Sequence, residues 1–453
     1  MVMSLAGSQQ NTLLAMLARL RPHWRHDRTL PGRVQALLAS DRRFGSRDRR
    51  LYRELIYTTL RYLPWIEPEL ERDAEQAVRL IAWLAADAPA TAHFRHELIG
   101  EWPPCPAPLA EKAAMLAQRV GAADTAAGAG RFAPEALLPR WFHEHCADAF
   151  APVQLDPLLA RAPLWLRLQT DEPRSVTAEF EQLGWTACSS AVLPGALQLL
   201  DEVDVTRTDA FQNGLIEVQD LGSQLLLAAA QVAAGGHWLD ACAGAGGKTL
   251  QLAALLGPGG TVDAHDVRRA ALDELALRAR RAGIPLTRSS SRSDVGRDIP
   301  IPAGAPVSDR SSPRAAPKRP AATVRILSTI PETLYDGVLV DAPCSGSGTW
   351  RRAPHLKWTT TPAHIDQAAG RQRELLEQFA QRVRPGGRLI YATCSLSRRE
   401  NQDVVAGFLA SRPEFAAEPP PATFGAPVDA FGLTLLPGLH NTDGFFVACM
   451  RRN

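Results

Sequence analysis

From about residue 236 onward, short apolar runs with strand character alternate with longer segments whose apolar residues recur at helical spacing. This alternation predicts a parallel β-sheet covered on both faces by helices, because each parallel connection needs a helix-length crossover. In open sheets of this class, ligands bind beyond the carboxyl ends of the strands. Residues at those ends are therefore the first candidates for a functional site.

The Gly-rich stretch WLDACAGAGGKT, residues 238–249, follows the first of these strands. A P-loop would need Gly where Cys242 stands, and a dinucleotide fingerprint would need a third Gly where Thr249 stands. Both phosphate-binding signatures fail by one residue, which argues against an NTPase. With Asp266 ending the next apolar run as a ribose partner, the pattern suits a nucleoside cofactor without a phosphate chain, such as S-adenosylmethionine. An ordinary tight strand–helix turn is the alternative.

Two further strand-like runs end in chemically capable side chains. The run VLVDAPCS, residues 338–345, carries Asp341 and Cys344, and LIYATCS, residues 389–395, carries Cys394. A buried free cysteine is more often a small apolar residue than a reactive one. The agreement of several strand ends, including Asp240, nevertheless predicts one crevice that collects two thiols and carboxylates beside the Gly-rich loop.

Two thiols, a carboxyl group and a methyl donor suit methylation of carbon 5 of a pyrimidine. A thiolate that adds to carbon 6 makes carbon 5 nucleophilic, and a carboxyl group near N3 stabilises the developing charge. After methyl transfer, the carbon 5 proton must leave before the thiol is eliminated. The residues alone do not decide whether Cys344 or Cys394 attacks.

The segments DACAGAGGKT, DAPCSGSGTWRRAPHLKW and YATCSLSRREN resemble the motifs of RNA cytosine-5 methyltransferases of the Nop2/Sun family, especially its bacterial RsmB (Sun/Fmu) branch. The resemblance covers about residues 136–453, and FGSRDRRLYRELIYTTLR more weakly resembles that branch's NusB-like RNA-binding domain. It implies an α/β fold with a Rossmann-like class I methyltransferase core, an all-helical N-terminal domain and a small α/β insert. The implied activity is S-adenosylmethionine-dependent methylation of carbon 5 of cytosine in RNA, with small-subunit ribosomal RNA as the expected substrate.

The resemblance also implies roles for single residues. Cys394 would attack carbon 6, Cys344 would assist product release, and Asp341 would contact the base beside the cofactor. The cofactor would be held by the loop and two carboxylates, namely Cys242, Ala243, Gly244, Ala245, Gly246, Gly247, Lys248, Asp266 and Asp341. This loop departs from the Ala-Pro-Gly-Gly-Lys common in the family. The acidic residue expected near adenine stays unassigned, because either Asp294 supplies it or the true strand is VRILST, residues 324–329, without an acid.

Positive charge is concentrated near the N-terminus. Residues 19–53 contain eleven Arg, three Asp and no Lys or Glu, with Trp24, Phe44 and Tyr52 among them. Arginine interleaved with aromatic residues is typical of nucleic-acid binding through phosphate pairing and base stacking, and a solvated helix face is the alternative. Residues that follow the Pro-Cys motif either hold RNA or form a structural surface; they are Arg351, Arg352, Lys357 and Trp358.

Composition and segment character divide the chain into three predicted domains. Residues 1–130 read as helices, 131–215 as a small α/β subdomain and 216–453 as the catalytic domain, with a disordered insertion at 288–320. Seven cysteines without C-x-x-C pairs indicate neither a disulfide framework nor a metal site. No apolar run reaches the roughly 18 residues of a membrane span, and the start lacks signal-peptide features. We expect a cytoplasmic, monomeric enzyme with no membrane partner; a catalytically weak RNA-binding assembly protein and methylation of transfer RNA are the alternatives.

Overall fold

The computed structural model describes residues 4–120, 128–288, 299–300 and 318–453. Its contacts divide the chain into two units, one formed by Met1–Arg161 with Thr349–His364 and one by Ala162–Gly348 with Ile365–Asn453. The three predicted domain ranges stay a prediction. Most of the predicted disordered insertion, residues 289–298 and 301–317, lies outside the described residues, as do residues 121–127 of the predicted linker.

The first unit is helical, as the periodicity predicts. Asp73 caps one helix by accepting from the backbone N–H groups of Glu75 and Gln76, which satisfies donors that no helical carbonyl can reach. One helix ends at Arg61 and the next begins at Leu63, with Pro64 in its first turn, where no backbone N–H is needed for a helical hydrogen bond. Numbered along the chain, the helices of this unit are α1 Leu5–Leu20, α2 Leu30–Ser40, α3 Ser46–Arg61, α4 Leu63–Arg72, α5 Ala74–Leu84, α6 Ala92–Ile99, α7 Leu109–Arg119, α8 Gly128–Arg131, α9 Pro152–Leu159 and α15 His355–Thr359.

The aromatic residues of the Arg-rich segment do not form a stacking surface. Trp24 and Tyr52 are 1% and 3% exposed and lie in the helical core, so the prediction that they stack on bases is wrong for these two. The helix periodicity of α3 explains the burial of Tyr52, because it turns this side chain inward together with Leu51 and Leu55. The segment nevertheless keeps most of its arginines exposed.

Residues 349–364 belong to the helical unit and are held there by side-chain hydrogen bonds to backbone oxygens. The Lys357 Nζ donates to the Arg61 and Leu137 carbonyl oxygens at 2.8 and 3.1 Å. Burial moves the pKa of Lys357 well below its ordinary value. The Trp358 Nε1 donates to Leu60 O at 2.6 Å. Lys357 and Arg351 are 0% and 1% exposed, so neither side chain can contact RNA. The prediction that they hold RNA is wrong, and both have a structural role.

The second unit contains two sheets. The smaller sheet has the antiparallel order β2-β3-β1-β4, and the larger sheet runs β12-β14-β11-β10-β5-β6-β9-β7-β8, with β13 beside β14. The strands are β1 Leu164–Leu168, β2 Ala187–Ser189, β3 Ala196–Leu199, β4 Ile216–Val218, β5 Gly236–Asp240, β6 Gly260–Ala264, β7 Leu286–Arg288, β8 Ile299–Pro300, β9 Thr323–Ile326, β10 Tyr335–Asp341, β11 Val383–Thr393, β12 Phe415–Glu418, β13 Leu433–Leu435 and β14 Phe445–Arg452. The remaining helices are α10 Arg174–Gln182, α11 Asp209–Gln212, α12 Leu221–Ala230, α13 Gly247–Leu256, α14 Arg269–Ala282, α16 Pro362–Ala380, α17 Gln402–Ser411 and α18 Pro437–His440.

The parallel centre of the larger sheet confirms the predicted α/β class. Strands β11, β10, β5, β6, β9 and β7 pair in parallel, and both faces are buried under helices and loops in two apolar clusters. In register, Val338 lies beside both Leu239 and Leu389, so β5, β10 and β11 end at one edge. Across the described ranges, no helix combines the length and apolar composition needed to cross a bilayer.

Trp350 packs against Phe142, and this contact allows a test of how residues 349–364 stabilise the helical unit. The two rings lie 4.5 Å apart between centroids, and Trp350 is 1% exposed. We expect Trp350→Ala to lower the free energy of unfolding by about 3–5 kcal/mol, because it opens a large cavity. Urea denaturation followed by circular dichroism measures the loss. The half-buried Trp141, which also contacts Phe142, provides the control Trp141→Ala with a smaller loss; equal losses would contradict this account.

Candidate active site

The Gly-rich loop connects β5 to α13 through two left-handed residues. Gly244 and Gly246 have φ values of +53° and +89°, which favour glycine. A Cβ at Gly246 would lie 2.6 Å from Leu275 Cγ on α14, so no larger residue fits there without displacement. The loop is thus a tight turn that leads directly into the N-terminus of α13 at Gly247.

Asp240 ends β5 beneath this loop with one carboxylate oxygen unused. Its Oδ2 accepts from Thr249 Oγ1 at 2.7 Å, whereas its buried Oδ1 makes no hydrogen bond within the described residues. Burial raises the pKa of Asp240 to about 7. An unsatisfied buried acceptor next to a glycine turn fits a ligand that brings its own donor or positive charge.

Asp266 braces the same loop from the end of β6. Its Oδ2 accepts from Gly244 N at 2.8 Å, and its Oδ1 accepts from the Arg268 backbone N at 2.8 Å and side chain Nε at 3.0 Å. Burial of Asp266 opposes ionisation, but these hydrogen bonds outweigh it and hold the pKa below its ordinary value. The ribose-binding role of Asp266 stays a prediction.

Lys248 joins the loop to the end of β10. Its Nζ donates to Asp341 Oδ2 at 2.9 Å and lies 5.6 Å from the centre of the Phe445 ring. Burial would lower the pKa of Lys248, but the charge and hydrogen bond of Asp341 outweigh it, so the pKa is raised. The side chain therefore points to the end of β10 and, at 10% exposed, does not extend along the surface. Asp341 keeps 30% of its side chain exposed, which leaves the ion pair accessible.

The two cysteines predicted to meet do so. Cys344 Sγ lies 3.3 Å from Cys394 Sγ, in loops that follow β10 and β11. The hydrogen bond to Cys394, burial and the charge of Glu400 raise the pKa of Cys344 well above its ordinary value. The backbone locks the loops together, since Gly348 N donates to Cys394 O at 3.0 Å.

A close backbone contact between Gly444 and Gly348 fixes the end of the loop that carries Cys344. Gly444 N donates to Gly348 O at 2.8 Å, and a Cβ on Gly348 would lie 2.0 Å from Gly444 O. Only glycine permits this backbone contact. The segment before β14 therefore takes part in shaping the loop that carries Cys344.

The remaining predicted positions have different outcomes. The segment VRILST does contribute a parallel strand, β9, which pairs with β6, whereas Asp294 lies outside the described residues. Asp220 caps α12 by accepting from Gly222 N at 2.8 Å, which is a structural role. Burial raises the pKa of Cys242, so this thiol is a poor nucleophile. Within the described ranges, no group of three or more His, Cys, Asp or Glu side chains is arranged to hold a metal ion.

Sequence reasoning missed the residues that support the site from behind. Arg278 on α14 donates from Nη1 to Ala245 O at 2.7 Å, and its Nε lies 3.4 Å from Glu217 Oε1. Glu400 accepts hydrogen bonds from the residues that follow each thiol. No local sequence pattern predicts the contact made by Arg278, because it is one of several arginines on α14. The acid Glu400 does stand inside the quoted motif YATCSLSRREN.

The raised pKa of Asp240 predicts a pH-dependent stability. A folded-state pKa of about 7, against an ordinary 3.8, means that the folded chain loses stability as the pH rises from about 4 to 7. Asp240→Asn removes this loss and keeps an acceptor for Thr249. We expect the variant to be more stable than wild type by about 1 kcal/mol or more above pH 7, since one pKa unit corresponds to about 1.4 kcal/mol.

Thermal melts between about pH 4.5 and 8.5 measure this difference. The advantage of Asp240→Asn should grow up to about pH 7 and stay constant above it. A constant difference at every pH would contradict the burial argument.

The chain is similar in sequence to known ribosomal RNA methyltransferases. Residues 321–451 match the family model described as 16S rRNA methyltransferase RsmB/F. The chain is 34% identical over 292 residues to ribosomal RNA small subunit methyltransferase B of Xanthomonas campestris, covering 64% of this chain and 60% of that protein. It is 32% identical over 319 residues to the protein of the same name from Xylella fastidiosa, covering 69% and 68%.

Solved structures share the fold. The crystal structure of PH0851 superposes with a TM-score of 0.65 at 21% identity, covering 92% of this chain and 93% of that one. The crystal structure of NSun6 from Pyrococcus horikoshii with SFG gives a TM-score of 0.55 at 17% identity, covering 69% and 98%. On the evidence of its sequence relatives, the chain belongs to the RsmB/F family of methyltransferases.

Proposed function

We propose that the chain methylates carbon 5 of cytosine in small-subunit ribosomal RNA, using S-adenosylmethionine, in the cytoplasm. The observation that carries the proposal is the pair of thiols 3.3 Å apart, at the strand edge that also holds the glycine loop and Asp341. The names of the Xanthomonas and Xylella relatives support ribosomal RNA as the substrate. The resemblance of both thiol motifs to the Nop2/Sun family supports cytosine as the base.

The cofactor would lie along the loop from Cys242 to Lys248. The glycine turn exposes backbone, and the unused Oδ1 of Asp240 offers an acceptor there. When bound, S-adenosylmethionine supplies the electrophilic methyl group. The protein contributes the position of the base and the movement of protons.

The ion pair of Lys248 and Asp341 suits cytosine. Cytosine presents an acceptor at N3 and donors on its exocyclic amino group, and the pair offers one charged donor and one charged acceptor. The ammonium of Lys248 would stabilise negative charge that develops on the ring when a thiolate adds to carbon 6. Uracil reverses both features at this edge, so it would need the donor and the acceptor in exchanged positions.

The two thiols would act in sequence. Cys394 attacks carbon 6, and its sulfur loses its charge when the bond to carbon forms. Because the Cys394 thiol is one cause of the raised pKa of Cys344, this bond formation removes an obstacle to ionisation of Cys344. Cys344 is then able to take the carbon 5 proton, after which elimination restores the Cys394 thiolate and releases 5-methylcytosine.

Substitution of each thiol separates their roles. We expect Cys394→Ala to abolish methyl transfer, whereas Cys344→Ala accumulates a covalent protein–RNA adduct because the carbon 5 proton is retained. Transfer of labelled methyl groups to unmodified small-subunit ribosomal RNA and denaturing gels measure the two outcomes. Cys188→Ala, at an exposed cysteine, is the control. An adduct that forms only when Cys394 is absent would reverse the assignment, and no transfer by the wild type would favour an assembly protein.

Exposed arginines near α3 support RNA binding by the helical unit. Within the described residues, Arg33 and Arg43 form ion pairs with Asp27 and Asp41, whereas Arg49, Arg50 and Arg53 form none. A guanidinium group without an acidic partner can pair directly with phosphate oxygens. With Trp24 and Tyr52 buried, this surface would bind the RNA backbone more than its bases.

The salt dependence of RNA binding tests this surface. We expect the double variant Arg49→Ala/Arg50→Ala to bind RNA more weakly and to lower the slope of log affinity against log salt by about 0.7 for each phosphate that the arginines no longer neutralise. Fluorescence anisotropy at several salt concentrations measures the slope. Arg33→Ala, whose guanidinium is already paired, should leave it nearly unchanged; an unchanged slope in the double variant would place the RNA elsewhere.

A further inference from the structure

Glu400 is a buried carboxylate that the proposed chemistry does not use. It is 0% exposed and ends the short helical turn Arg398–Glu400, which precedes α17. In the described part of the chain, no Lys, Arg or His lies within ion-pair distance of it. An isolated buried carboxylate is costly unless hydrogen bonds compensate it. Its hydrogen bonds therefore explain why it stays there.

Those hydrogen bonds converge from both thiol loops. The Oε1 accepts from Ser345 N at 2.7 Å and from Gln372 Nε2 at 3.1 Å. The Oε2 accepts from Ser395 Oγ at 2.6 Å and also from Ser345 Oγ. Both oxygens of Glu400 are therefore satisfied by hydrogen bonds.

The partners stand next to the thiols in the chain. Ser345 follows Cys344, and Ser395 follows Cys394, so one carboxylate oxygen is shared by the two residues that succeed the two sulfurs. The same Gln372 also donates to Pro343 O at 2.9 Å, on the other side of Cys344. The side chain of Glu400 thus anchors both thiol loops.

Asn401, the next residue, braces the second loop. Its Oδ1 accepts from Thr393 Oγ1 at 2.6 Å, and its Nδ2 donates to Ser395 O at 2.9 Å. These bonds hold the residues before and after Cys394. The Glu400 charge also contributes to the raised pKa of Cys344.

We propose that Glu400 is a positioning residue that sets the separation of Cys344 and Cys394 by anchoring the serine that follows each of them. This rests on the proposed function, because the separation matters only when both thiols act on adjacent carbons of one base. Small misplacements of reacting groups are expensive, since a shift of roughly 1 Å can cost about 100-fold in rate. We therefore expect Glu400→Ala to lower kcat by about 100-fold, with the KM for S-adenosylmethionine nearly unchanged.

The thiol separation can be measured on the protein alone. Dibromobimane links two thiols only when they lie close together, and peptide mapping identifies the Cys344–Cys394 product. We expect Glu400→Ala to lower the linked fraction severalfold. Glu400→Gln should keep most of it, because the amide fills the same space and the serine hydroxyls can turn to accept. Glu374→Gln, which removes an exposed carboxylate from α16, is the matched control and should behave as wild type.

A variant that does not fold would not end the test. If Glu400→Ala loses cooperative melting, Ser395→Ala decides, because it releases only the Cys394 loop from the carboxylate and should lower the linked fraction. Wild-type linking in Glu400→Ala, or in Ser395→Ala where the former is unfolded, overturns the proposal. A second readout is the alkylation of Cys344 in a Cys394→Ala background, whose midpoint should move to lower pH with Glu400→Gln; an unmoved midpoint also contradicts the role of the Glu400 charge.

Failure of this inference is distinguishable from failure of the proposed function. Linking by dibromobimane needs neither RNA nor cofactor and gives its result whether or not the chain transfers methyl groups. In the Cys344→Ala background, added Glu400→Ala should slow adduct formation. An adduct that forms at the same rate contradicts the positioning role, whereas no adduct in Cys344→Ala itself contradicts the assignment of Cys394.

Discussion

Strands β5, β10 and β11 lie side by side in parallel, with Val338 between Leu239 and Leu389. Their pairing fixes where each strand stops, and the residues that follow are Asp240, Asp341 and the Cys394 loop. Because the hydrogen bonds of three buried strands set this alignment, the sheet core determines where the side chains of the site lie. The loops then need only short side-chain bonds to complete it.

The electrostatics of the site are divided between two carboxylate environments. Asp341 is matched by the Lys248 ammonium and stays partly exposed, as a group that meets a ligand should. Glu400 is matched only by neutral donors and is fully buried, as a group that holds a framework should. This difference suits Asp341 to contact a ligand and Glu400 to hold the two thiol loops in position.

Much of the catalytic unit could be predicted from the sequence, because strand ends and glycine turns are local signals. The rule of strand ends selects Asp341 and Cys394, and the left-handed turn selects Gly246. The burial of Lys357 could not be predicted, since its partners are the backbone oxygens of Arg61 and Leu137, which are remote in the chain. Trp24 misled for a related reason, as clustering with arginines does not reveal which helix face turns inward.

The contact of Gly444 with Gly348 has a consequence for the newly made chain. Strand β14 pairs with β11, and Gly444 closes on the loop after Cys344, yet both are synthesised well after the two cysteines. A ribosome-bound chain that has passed Cys394 but not residue 444 thus carries both sulfurs without the backbone that seats them. The loop that follows Cys344 therefore gains this backbone contact only after both cysteines have been synthesised.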